Sequence, residues 1–230
     1  DLRGVIGLHE RGLCDLTGVE VERFLEGTER LGERTETHSL NGEFASRELS
    51  FRMSGPIARL KAIGANSVAV SQILDFSGKP TAPGPLLFEK SGRRVAVLPY
   101  EIRNRNVFYS LYRKTFYRRA FEWLADAPLP AFIDEAADVC PTVLRDPEGG
   151  SRVVSLLNCG YDPAEECDLV LAKPFEVARL RFVTDDGRIE TVPDSALHDA
   201  GEVIRVRLSG EMTVHPFDVR FFFLDPAATD

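Results

Sequence analysis

Through the second half of the chain, apolar residues recur in short alternating or continuous runs separated by turn formers. The runs occupy 142–145, 152–158, 167–172, 177–184, 188–192, 203–208 and 219–224. Between them lie Pro147-Glu148-Gly149-Gly150, Asn158-Cys159-Gly160, Asp185-Asp186-Gly187 and Ser209-Gly210. Successive side chains on a strand point to opposite faces, so these runs predict strands with one face in a core. Short strands at such spacing, with no helical period between them, predict an antiparallel β-sandwich. Asp185-Asp186-Gly187 joins two β-rich runs and predicts a hairpin turn. Its adjacent carboxylates therefore read as turn formers, not as a pair of catalytic acids.

The first half has a different texture. Phe108, Leu111, Tyr112, Phe116, Ala120, Phe121 and Leu124 fall at three- and four-residue steps and predict a helix over 106–124, capped by Asn106. A shorter helix is expected over 56–63, with Ser54 as N-cap, Pro56 in the first turn and Gly64 as C-cap. Residues 5–13 read as the last turns of a helix. Strands are expected at 19–22, 67–74, 86–90 and 94–98, the last two joined by the turn Ser91-Gly92. The charged, turn-rich stretch 26–43, with Asn41-Gly42 inside it, reads as a loop, and 77–85 as a Gly/Pro-rich hairpin connection. Pro128 and Pro130 end the long helix and mark a boundary, giving expected domains of 1–127 and 131–226.

Charge changes sign at the same place. Up to Ala125 there are 19 Lys and Arg against 15 Asp and Glu, a balance of +4; from Asp126 onward there are 9 against 21, a balance of −12. The net −8 argues against a nucleic-acid partner. No apolar run approaches the roughly 20 residues of a membrane-spanning helix, and no basic-then-apolar leader opens the chain. Asp1 in place of a methionine is expected of a processed or excised piece. Cys14, Cys140, Cys159 and Cys167 form no C-x-x-C pair and read as thiols of a reducing, cytoplasmic setting, with a Cys159–Cys167 disulfide permitted but not required.

Candidate chemistry is sparse. The motifs G-x-S-x-G and G-x-C-x-G are absent, as is a phosphate-cradling glycine loop, and no cofactor or metal is expected. His9 and Cys14 stand five apart, slightly off a common helical face, and read as a surface His and a packed Cys. His38, His198 and His215 stand singly. The one cluster with binding potential is cationic: Arg103, Arg105, Arg113, Lys114, Arg118 and Arg119, interleaved with Tyr109, Tyr112 and Tyr117. Such a cluster can hold an anion. Docking of a basic helix face on the acidic second half, or on another subunit, is the more economical reading.

Two stretches carry a resemblance. Leu8-His9-Glu10-Arg11-Gly12-Leu13-Cys14-Asp15-Leu16-Thr17-Gly18-Val19 is similar to a segment of the flavodoxin-like domain that follows the barrel in some glycoside hydrolases. Phe88-Glu89-Lys90-Ser91-Gly92-Arg93-Arg94-Val95-Ala96-Val97-Leu98-Pro99-Tyr100 resembles that domain's closing hairpin. The domain resembles the β-galactosidase trimerisation domain, which is amidotransferase-like in fold but lacks the amidotransferase site. The resemblance implies a partial flavodoxin-like α/β domain followed by an antiparallel β-sandwich. It also implies a catalytic barrel upstream and outside this chain, so no catalytic residue carries over. The function expected is that of a non-catalytic, oligomerising accessory region of a carbohydrate-active hydrolase. The alternative is a carbohydrate-binding β-sandwich module, weakened by the lack of Trp after Asp126 and by the placing of most Phe residues within strands.

Overall fold

A computed structural model of the chain describes residues 5–6, 18–30, 32–49, 56–62, 67–90, 92–100, 111–134, 138–145, 152–173 and 177–226. The chain divides into two compact units, Asp1–Ala127 and Pro128–Asp230. Antiparallel sheets make up most of both.

The first unit contains β1 (Val5–Ile6), β2 (Val19–Phe24), β3 (Gly32–Thr35), β4 (Glu48–Leu49), β5 (Ala58–Ala62), β6 (Ser67–Ala69), β7 (Ser71–Leu74), β8 (Pro80–Pro83), β9 (Leu86–Lys90), β10 (Arg93–Val97) and helix α1 (Leu111–Ala125). One sheet runs β1-β10-β9-β6 and a second β4-β3-β7-β8, while β2 and β5 form a two-stranded ribbon. The β1–β10 pair is parallel, with Val5 opposite Ala96, and the other pairs in these sheets are antiparallel. Tyr112, Phe116, Ala120 and Leu124 recur every four residues along one stripe of α1, and all four are buried. The helix stops because Asp126 adopts φ 55°, which lets Ala127 N–H reach back to the Glu122 carbonyl, six residues in a left-handed cap. Arg94 completes that cap by donating to the Trp123 carbonyl (2.8 Å) and to Asp126 Oδ1 (2.6 Å).

Several expectations for this unit are corrected. The helix expected at 56–63 is strand β5, in which Ala58 and Leu60 are buried while Arg59 and Lys61 face solvent. Pairing with β2 decides the conformation there over a helix-favouring Ala-Arg-Leu-Lys-Ala sequence. The loop expected over 26–43 contains β3 and two 3₁₀ turns, Gly27–Glu29 and Ser39–Phe44. Val5 and Ile6 are strand, not helix, and residues 7–13 lie outside the described residues. Ser54, Gly64 and the Asn106 cap also lie outside them.

The second unit is the sandwich. It contains β11 (Ala131–Asp134), β12 (Val139–Arg145), β13 (Arg152–Asn158), β14 (Cys167–Ala172), β15 (Val177–Val183), β16 (Ile189–Thr191), β17 (Leu197–Asp199), β18 (Val203–Leu208) and β19 (Val219–Pro226). Its sheets run β11-β14-β18-β17 and β12-β13-β19-β15-β16, antiparallel throughout. Ile133, Leu156, Leu169, Leu171, Val206, Leu208 and Phe222 form the core between them. Full burial of each such side chain stabilises the fold by about 1.5–3 kcal/mol. The expected turn is present at Thr184–Arg188, with Gly187 at φ 82°. Asp185 pairs with Arg220 and Asp186 with Thr184 and Arg188, so the two carboxylates diverge. Strands β11 and β17 lie outside the runs from which strands are expected.

Candidate functional site

The basic helix does not present its cations on one surface. Arg113 turns inward, where its guanidinium binds Glu33 Oε2 and the Tyr100 hydroxyl and lies 3.9 Å from the Tyr100 ring centroid. Arg119 donates to the Ser39 carbonyl (2.7 Å) and fills the space where a Cβ on Gly42 would sit. Lys114 and Arg118 are half-buried on α1, and Arg103 and Arg105 lie outside the described residues.

Glu33 is the centre of this arrangement. It sits within β3, between β4 and β7, and its side chain is fully buried. Its carboxylate accepts from Arg113, from Ser71 Oγ and from the Tyr112 hydroxyl at 3.3 Å. Tyr112 shares its proton with Asn41 Oδ1 (3.4 Å), and Asn41 Nδ2 donates to the Glu36 and Val70 carbonyls at 2.8 and 2.7 Å. Burial, reinforced by the Glu33 charge, holds the Tyr112 hydroxyl well above the usual phenol range. Burial does the same for Tyr117. Both rings therefore remain neutral. A carboxylate with three donors and no solvent path is an internal brace, since a general acid or base must reach a substrate proton.

Most histidines and cysteines are equally plain. His38 Nδ1 accepts from Leu40 N–H (3.2 Å) and caps a 3₁₀ turn, and burial lowers its pKa. His198 and His215 are exposed. Cys140 and Cys159 are exposed and Cys167 is buried, and the permitted Cys159–Cys167 disulfide is not formed. His9 and Cys14 lie outside the described residues. Among the described residues no group of three or more His, Cys, Asp or Glu is placed to hold a metal ion, and no helix is long and apolar enough to cross a membrane.

Two solvent-exposed features of the sandwich could meet a small ligand. A cleft of about 360 Å³ is lined by Glu190, Arg207, Ser209, Glu211 and Met212 over Phe182. The second is an aromatic pair. Tyr161 is 85% exposed and Phe217 64% exposed, with ring centroids 5.4 Å apart in edge-to-face geometry. Sequence reasoning passed over this pair. Its signal was the placing of both rings in turn segments beside Gly160 and Pro216, not within alternating strands.

No family model matches the chain, and no curated protein matches it. Its fold is nevertheless similar to parts of solved glycoside hydrolases. Alpha-L-fucosidase isoenzyme 2 from Paenibacillus thiaminolyticus matches with a TM-score of 0.56 and 12% identity, over 91% of this chain and 34% of that one. A β-galactosidase from Rahnella sp. R3 matches with a TM-score of 0.50 and 13% identity, over 92% and 24%. A β-galactosidase from Bacillus circulans sp. alkalophilus matches with a TM-score of 0.50 and 9% identity, over 92% and 25%. The chain thus has the fold of a segment of glycoside hydrolases and spans a quarter to a third of their length.

Proposed function

We propose that this chain is a non-catalytic accessory region of a glycoside-hydrolase-like protein, serving a catalytic domain carried elsewhere in the polypeptide. One observation carries the reading. About nine-tenths of this chain matches a quarter to a third of each of three such enzymes, which leaves most of each enzyme unmatched. In this reading the first unit is the trailing part of a flavodoxin-like domain. The parallel β1–β10 pair is the described feature that favours it, since flavodoxin-like sheets are parallel.

Packing and oligomerisation are the roles assigned. The outer face of the β12-β13-β19 sheet supports them. Cross-strand partners share a face, so Leu144 with Val153, Leu157 with Val219, and Ser155 with Phe221 lie together on the side away from the core. Leu144, Leu157, Val219 and Phe221 are all exposed there, an apolar surface of the kind that a neighbouring domain or subunit covers.

The test compares the 230-residue chain with the longest open reading frame that contains it, on aryl β-galactosides and aryl α-L-fucosides. The chain alone is expected to show no turnover, and the longer polypeptide to hydrolyse at least one class. Turnover by the chain alone overturns the proposal.

A further inference from the structure

We infer that Tyr161 and Phe217 form a stacking platform for a neutral pyranoside at one end of the sandwich. Exposed aromatic side chains are costly to leave in water, and two in contact form a patch that asks for an apolar ligand face. The backbone beneath them is fixed. Asn158, itself buried, donates through Nδ2 to the Asp162 carbonyl (2.8 Å) and the Val214 carbonyl (2.9 Å) and accepts from Gly160 N–H through Oδ1 (2.8 Å). The Phe217 amide donates to the Asn158 carbonyl (2.9 Å), and Ala164 and Val214 bridge the two segments by a reciprocal pair at 2.9 and 3.2 Å. One buried side chain thus ties the turn bearing Tyr161 to the turn bearing Phe217.

Two backbone features show how tightly the rings are placed. Phe217 holds φ 60°, the left-handed region that a bulky side chain avoids, and strain of this kind persists where the surroundings impose it. At Gly160, a Cβ would lie 2.9 Å from Asp138 Cβ and 3.1 Å from Asn158 Oδ1, so only glycine allows the turn to close beside Tyr161.

The charge around the rings selects the ligand. Asp162 follows Tyr161 and Asp218 follows Phe217 in sequence, and Asp138 lies against Gly160, so the two turns carry negative charge and no Lys or Arg from 158 to 163 or from 213 to 219. They repel phosphate, sulfate and uronate and can accept hydrogen bonds from sugar hydroxyls. An aromatic ring carries its negative charge on its face, which attracts the partly positive C–H bonds gathered on one side of a pyranose with an axial hydroxyl. The edge-to-face arrangement supplies one ring to lie against that side and a second ring to flank it. This site is independent of the accessory reading, because a sandwich with no hydrolase attached would carry it unchanged.

The test is an amide chemical-shift titration of the full 230-residue chain with methyl β-D-galactopyranoside, methyl α-L-fucopyranoside and glucuronate. Saturable shifts are expected for both neutral sugars at residues 159–163 and 215–218, with glucuronate at least tenfold weaker. Tyr161→Ala and Phe217→Gly are each expected to weaken binding at least tenfold, and Tyr161→Phe to retain it. Glycine accepts the φ of Phe217, so Phe217→Gly removes the ring while the Gly160 amide shift reports an intact turn. Three results overturn the inference: no saturable shift with either neutral sugar, binding that survives loss of both rings, or shifts that depend only on protein concentration. The last would make the patch a contact between copies of the chain.

Discussion

At the middle of the first unit lies a carboxylate; at the middle of the second lies hydrocarbon. Glu33 is held by Arg113, Ser71 and Tyr112, with Asn41 behind them, so the strands around it are tied to α1 by charge and directional hydrogen bonds. In the sandwich, Leu156, Leu169, Val206, Leu208 and Phe222 meet with no polar partner among them. Its buried cation, Arg220, stands at the margin and spends its donors on the Val183 and Thr213 carbonyls and on Asp185, which is exposed. A buried pair stabilises little against a well-packed apolar replacement, yet loss of either partner strands the other in low dielectric. The two units therefore differ in how they fail.

The largest expected effect follows from that asymmetry. Arg113→Leu or Glu33→Leu alone should cost the first unit about 3–5 kcal/mol, whereas the double replacement should be far milder than the sum. Trp123, the only tryptophan in the chain, lies against this core, so urea unfolding followed by its fluorescence reports the first unit. Single variants costing under about 1 kcal/mol would remove the contrast between the units. In the sandwich the matching change is Leu156→Ala, expected to cost about 3 kcal/mol through a cavity alone. Cys167 is buried among the same residues while Cys140 and Cys159 are exposed, so in a Cys14→Ala background thiol labelling separates a fast class from a protected one. Labelling of Cys167 should accelerate on the order of 100-fold in Leu156→Ala. An unchanged rate would mean that this core closes around the missing methyls.

The same contrast explains what could be read in advance. The sandwich strands were legible because hydrocarbon cores impose a strict alternation, as in Val203-Ile204-Arg205-Val206-Arg207-Leu208, where Val206 and Leu208 are buried and Arg207 is exposed. Those that escaped notice are short: β11 has four residues behind two prolines, and β17 has three. The first unit defeated the same method at its centre. Strand β3 reads Gly-Glu-Arg-Thr, and a hydropathy pattern counts its buried Glu33 as a surface residue. Arg113 carried no mark that separated it from Lys114 or Arg119, because only the position of Glu33, 80 residues away in sequence, decides which cation turns inward. The aromatic pair escaped for a related reason: the turn positions of Tyr161 and Phe217 are local, but their meeting depends on Asn158 bonding across 56 residues to Val214, which no local pattern encodes.

The smallest expected effect lies at the rim of the polar centre and is read by pH. His38 Nδ1 accepts the Leu40 N–H, which requires the neutral imidazole, and Leu40 itself packs in the first unit's core beside the turn that carries Asn41. Burial depresses the His38 pKa, so the folded state resists the proton that the unfolded chain accepts near pH 6.5. The contribution of the cap is thus complete above that pH and is lost as pH falls through and below it. Its size is that of one helix cap, under about 1 kcal/mol. The Trp123 transition should accordingly shift to lower urea between pH 7.5 and 5, and His38→Ala should flatten part of that slope while lowering stability at pH 7.5. His198 and His215 are exposed in the sandwich, and neither imidazole accepts a backbone N–H among the described residues, so a slope that survives His38→Ala intact would place the titrating group elsewhere.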